Sequence, residues 1–119
     1  MQAIVFEQFG EPADVLQIRD VPVPEPKSGE VRVRMLASPI NPSDLMTVRG
    51  SYGKLPKLPA TPGFEGVGVV ESHGGGLLGK FLVGKRVAVL NGETGNWCQQ
   101  TVVPAKQAIA LPSDLALEQ

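Results

Sequence analysis

Apolar residues in this chain come in short β-branched runs, each closed by Gly, Asn or Pro before a long helix can propagate. Glu30-Val31-Arg32-Val33-Arg34-Met35 alternates with period two, which puts Val31, Val33 and Met35 on one face and Arg32 and Arg34 on the other. Gly66-Val67-Gly68-Val69-Val70-Glu71, Lys85-Arg86-Val87-Ala88-Val89-Leu90 and Gln100-Thr101-Val102-Val103 are further strand candidates. At the start, Ala3 and Val5 oppose Ile4 and Phe6. The 14 Gly and 11 Pro are about a fifth of the 119 residues and follow no Gly-X-Y period, so they imply many turns and few long helices. A chain of this length forms one domain, residues 1–119, able to bury about two thirds of its surface.

Val21-Pro22-Val23-Pro24-Glu25-Pro26 carries a proline at every second position, which removes ladder donors and forces an extended edge or linker. Lys27-Ser28-Gly29-Glu30 then reads as a turn into the Val31 strand. One short helix is expected from Pro42-Ser43-Asp44 to Gly50, and a second start at Pro112-Ser113-Asp114 runs out at Gln119. Many short strands with one or two short helices predict a mainly β fold, a small partly open barrel rather than a βαβ sheet. A hydrophobic content of 42% and a net charge of -1 exclude a disordered acidic tail and a strongly basic nucleic-acid binder. The lone Cys98 cannot form an internal disulfide, the N-terminus lacks signal-peptide character, and no apolar run is long enough to span a membrane. A cytoplasmic protein without membrane or nucleic-acid partners is the expectation.

Gly74-Gly75-Gly76-Leu77-Leu78-Gly79 satisfies G-x-G-x-x-G, with Glu93 in place of the acidic residue that follows such motifs. A dinucleotide site needs a helix of about ten residues or more after the glycines. Gly84 and the next strand follow too soon, so a hairpin loop is predicted. His73, the only histidine, reads as a solvated loop residue, and Cys98 as a small packing residue. No second ligand pair accompanies them, so no metal site is expected. Ala37 to Gly53 is the most informative stretch. Asn41 there either caps the short helix or serves a site; Asp44 suits the helix N-terminus. Tyr52, the only tyrosine, lies in a Gly-flanked loop and either covers apolar surface or acts as an acid.

Taken in order, these landmarks resemble the N-terminal catalytic, GroES-like domain of the medium-chain dehydrogenase/reductase superfamily. The likeness runs along the whole chain: Met1-Gln2-Ala3-Ile4-Val5-Phe6, Val21-Pro22-Val23-Pro24, Gly29-Glu30-Val31-Arg32-Val33, Pro62-Gly63-Phe64-Glu65-Gly66-Val67-Gly68, Val83-Gly84-Lys85-Arg86-Val87, Gly95-Asn96-Trp97 and Leu111-Pro112-Ser113-Asp114. Where zinc alcohol dehydrogenases carry a catalytic cysteine and histidine, this chain has Asn41 and Pro42; where they carry Gly-His-Glu, it has Gly63-Phe64-Glu65. The four-cysteine structural zinc loop is missing too. Asn41-Pro42-Ser43-Asp44, Gly50-Ser51-Tyr52-Gly53 and Leu55-Pro56-Lys57-Leu58-Pro59 are most similar to the zinc-free 2-enoyl thioester reductases.

That resemblance implies an NADPH-dependent oxidoreductase reducing the C=C bond of 2-enoyl thioesters, with Tyr52 catalytic, Asn41 lining the cofactor side and no zinc. Quinone oxidoreductases share the tyrosine and asparagine, so a quinone substrate is the alternative within the enzyme class. A stand-alone GroES-like protein-binding module without redox activity is the alternative outside it. In this superfamily a Rossmann domain follows and holds most NADPH contacts. Without it, the 119 residues are expected to be an inactive fragment that binds little NADP(H), monomeric where the parent is a homodimer.

Overall fold

A computed structural model describes residues 1–92, 95–112 and 114–115. The four strand runs read above, joined by a fifth short strand near the C-terminus, form a five-stranded antiparallel sheet. Its strands are β3 (Glu30–Ala37), β4 (Glu65–His73), β5 (Arg86–Leu90), β6 (Gln100–Pro104) and β7 (Ala108–Ala110), in the order β6-β3-β4-β5-β7. The period-two pattern of β3 is realised: Val31 and Val33 are fully buried and pair across with Val103 and Thr101 on β6, while Arg34 faces solvent. With Val70, Val87, Val89 and Leu82 they make the main core, each such side chain contributing roughly 1.5–3 kcal/mol on burial. The sheet is open, with β6 and β7 at its edges and no pairing between them, in line with a barrel that is only partly formed. The proline run 21–26 is neither helix nor strand.

A second layer sits at one end. β1 (Gln2–Val5) pairs antiparallel with β2 (Gln17–Asp20), and α1 (Pro12–Val15) lies between them in sequence. Helix α2 (Pro42–Arg49) packs Val48 onto Phe6 and Val15, a small cluster separate from the sheet core. Phe6 and Ala60 exchange backbone hydrogen bonds of 2.9 and 3.0 Å, which tie the long loop after α2 to the end of β1.

Two sequence expectations are corrected. The glycine-rich stretch is not a plain hairpin loop: α3 (Leu77–Leu82) follows Gly76. Leu77, Leu78 and Lys80 are good helix formers, and Leu82 anchors the turn in the core at 2% exposure. Its six residues still fall short of a dinucleotide-binding helix. Gly74 is required because a Cβ there would collide with the carbonyls of Pro26 and Lys27. His73, in turn, ends β4 rather than lying in a loop, and its Nδ1 accepts the N–H of Gly75 at 3.1 Å. Near the C-terminus, Leu115 N–H reaches the Pro112 carbonyl at 3.2 Å, a single turn of the expected helical start; residues 116–119 and Glu93 lie outside the described residues.

Candidate active site

Helix α2 begins where the sequence places it, and its first turn organises the site. Asp44 is buried at 1% exposure and makes no ion pair among the described residues. Its two oxygens accept two backbone donors instead: Oδ2 takes the N–H of Asn41 at 2.8 Å and Oδ1 the N–H of Phe64 at 3.0 Å. One carboxylate thus satisfies a helix-start donor and fixes the Gly63-Phe64-Glu65 segment against it. The Asn41 side chain turns the same way, its Nδ2 donating to Glu65 Oε1 at 2.8 Å.

Tyr52 lies on the loop beyond Gly50, the left-handed C-cap of α2. Its ring tilts against Phe64 at 5.8 Å between centroids and 51° between planes. At 42% exposure the phenol stays open to a bound molecule. The two residues singled out in the sequence therefore meet through their neighbours: Asn41 holds Glu65, and Tyr52 leans on Phe64. Neither lines the cleft beside them, about 680 Å³, to which Thr47, Phe64, Lys54, Lys57 and Asn91 contribute.

Asn91, Gly92 and Gly95 line the cleft together with Thr47 of α2. Gly63 has φ +109, and a Cβ on it would stand 2.5 Å from Trp97 Cδ1, so glycine is needed both for conformation and for space. Trp97 and Asn96 donate backbone N–H groups to Pro62 and Gly63 at 3.0 and 2.9 Å. Trp97 Nε1 reaches the Pro39 carbonyl at 3.4 Å, just ahead of Asn41. Beneath lies a buried polar cluster, in which Asn91 Nδ2 reaches Asn96 Oδ1 at 3.3 Å and Thr101 Oγ1 at 3.4 Å. Composition gives no hint of this cluster, because its members come from separate turns and strands. Asp44 was detectable, since Asn41-x-x-Asp44 has capping-box spacing. Cys98 follows Trp97, and burial pushes its thiol up to about 11. It is a protonated packing residue at neutral pH, in keeping with the sequence reading.

Among the described residues no group of three or more His, Cys, Asp or Glu is placed to hold a metal ion, and no helix is long and apolar enough to cross a membrane. Residues 27–113 match the family model of the alcohol dehydrogenase GroES-like domain. The chain belongs to that family. It is 41% identical over 114 residues to the mitochondrial enoyl-acyl-carrier-protein reductase of Xenopus tropicalis, covering 96% of this chain and 32% of that protein. A putative NADPH:quinone reductase from Bacillus thuringiensis superposes with a TM-score of 0.89 at 40% identity, over 98% of this chain and 35% of the other. The quinone oxidoreductase of Thermus thermophilus, whose structure was solved also as a complex with NADPH, gives 0.81 at 33% identity, over 99% and 35%. The chain therefore spans about a third of the length of the relatives it matches.

Within the family domain, the backbone N–H groups of Asn41 and Phe64 thus meet on the two oxygens of one carboxylate, Asp44.

Proposed function

We propose that this domain is the substrate side of a zinc-independent, NADPH-dependent oxidoreductase that reduces the C=C bond of 2-enoyl thioesters. The observation that carries the reading is the half-exposed phenol of Tyr52, held against Phe64 where a metal-dependent relative would present a ligand. When bound, NADPH supplies a hydride to the β-carbon of the enoyl group. Negative charge then develops on the thioester oxygen, and a donor is needed there or at the α-carbon. Tyr52 is the residue we assign to that proton. Asn41, fixed by Glu65 at the start of α2, is assigned to the nicotinamide side.

This reading assigns the nicotinamide end of the cofactor to this domain and its phosphates elsewhere. Helix α3 is too short to receive a pyrophosphate, and the phosphate contacts are assigned to a nucleotide-binding domain. Relatives about three times as long as this chain have room for one. Quinone reduction is the second reading, favoured by the names of the structural relatives.

The test compares initial rates of NADPH oxidation by the full-length protein, in excess chelator, with a 2-enoyl thioester and with a quinone. We expect kcat/KM for the thioester to be higher by about tenfold or more, the scale on which a site built for one polar group discriminates, and to be unaffected by the chelator. A faster quinone reaction would select the second reading. Loss of turnover on chelation would contradict zinc independence, and no turnover with either substrate would leave the binding-module alternative.

A further inference from the structure

Helix α3 carries its apolar face outward. Gly79 and Leu82 turn inward and are buried, and Gly79 lies so close to β4 that a Cβ on it would stand 3.0 Å from the Cβ of His73. Leu77 and Phe81, one turn apart on the other side, are 87% and 64% exposed, with Leu78 and Val83 exposed beside them. A surface helix ordinarily shows polar residues there. Rolling the helix to hide Leu77 and Phe81 would pull Leu82 out of the core, so their exposure is built into the fold. No other seven-residue stretch among the described residues holds four exposed large apolar side chains. The next richest, Tyr52, Leu55 and Leu58, belongs to the loop of the candidate site.

Cations border this apolar ridge. Lys85 Nζ stands 4.6 Å from the centre of the Phe81 ring, Lys80 lies on α3 itself, and the 3-10 turn Ala105–Gln107 packed beside α3 adds Lys106. All three lysines are exposed, and the sequence has no acidic residue between Glu71 and Glu93 or in that turn. Unpaired lysines occur elsewhere on the molecule; these are set apart by the apolar side chains they flank. That combination discriminates between occupants. A second copy on a two-fold axis would bring lysine against lysine with no carboxylate of α3 to answer. The buried centre of a protein interface is poor in lysine. An anionic bilayer takes both groups: Leu and Phe side chains enter the acyl boundary, while lysine stems run beside them and the ammonium groups stay among the headgroups. We propose that α3 is a peripheral contact with anionic membrane surfaces, made by Leu77 and Phe81 in the acyl boundary and by Lys80 and Lys85 at the lipid headgroups. It uses no spanning segment and is independent of the reaction assigned to the cleft.

Vesicle sedimentation with the full-length protein tests it. The vesicles are phosphatidylcholine alone, or phosphatidylcholine with about a third of phosphatidylserine as the anionic lipid, each at low and at high salt. Partitioning onto the phosphatidylserine vesicles is expected to exceed that onto phosphatidylcholine by about tenfold or more, the scale of two lysines at a charged surface, and the gap should narrow as salt is raised. Leu77→Ser/Phe81→Ser should weaken binding to the anionic vesicles by about tenfold or more. Lys80→Gln/Lys85→Gln should remove the preference for phosphatidylserine. Ile18→Ser, at a position on β2 that is 73% exposed, should leave binding unchanged. Equal partitioning onto both vesicles, none onto either, binding that survives the Leu77/Phe81 pair, or an equal loss in Ile18→Ser would overturn the inference. Binding of soluble poly-glutamate with vesicles ignored would assign the face to an acidic protein. Self-association that the Leu77/Phe81 pair abolishes, again with vesicles ignored, would assign it to a second copy. Either result overturns the membrane contact as well.

Discussion

Asp44 has an acceptor on each side and a backbone donor on each acceptor, Asn41 at one and Phe64 at the other. Removing it strands two N–H groups at the point where helix and loop meet. Asp44→Ala is therefore expected to cost about 3 kcal/mol of stability, the scale of hydrogen bonds to a buried charge left unmade. A shift in the urea midpoint equivalent to less than about 1 kcal/mol would contradict this role. At the same scale, Asn41 and Tyr52 were legible because of their residue type, order and resemblance. Phe64 was legible only as a ligand that is missing. Its contact with Tyr52 was hidden, because it depends on a loop of 11 intervening residues folding back, and no local pattern encodes that closure.

Among the elements, β3, β4 and β6 are joined on their polar face as well as by their ladders. Glu71 on β4 accepts from Arg32 on β3 at 2.6 Å and from Gln100 on β6 at 2.7 Å. Arg32 also reaches Glu25 at 3.1 Å and so holds the proline run to the sheet. Burial would raise the Glu71 carboxyl, but the hydrogen bonds from Gln100 and Arg32 outweigh it and hold it below its usual 4.5. A depressed folded value stabilises the protein above the unfolded value, and that contribution is lost as pH falls through the folded one. Native protein is thus expected to exceed Glu71→Gln in stability by about 1 kcal/mol near neutrality, the discounted worth of a partly exposed ion pair. Thermal melts should show the difference shrinking as pH falls below the ordinary carboxylate range. A difference independent of pH would contradict it. The strands that escaped the sequence reading fail its pattern for physical reasons. β2 has one apolar residue, Ile18, exposed at 73%, and is held by backbone pairing with β1. β7 has only three residues, too few to display a period.

At the scale of the whole molecule, two apolar clusters set the layout. The sheet core of Val31, Val33, Val70, Val87, Val89 and Val103 was readable as alternation. The small cluster of Phe6, Val15 and Val48 was not, because it assembles from a strand end and two short helices far apart in sequence. The candidate site lies where α2, the loop to Phe64 and residues 96–97 are joined by hydrogen bonds. The central claim, that this seam serves zinc-free reduction with Tyr52 as its acid, is tested most directly by Tyr52→Phe in the full-length protein. Steady-state kinetics with a 2-enoyl thioester should show kcat reduced by about 10²-fold or more, the scale of a lost general acid, with the Kd for NADPH unchanged. Unaltered kcat in that variant would contradict the account.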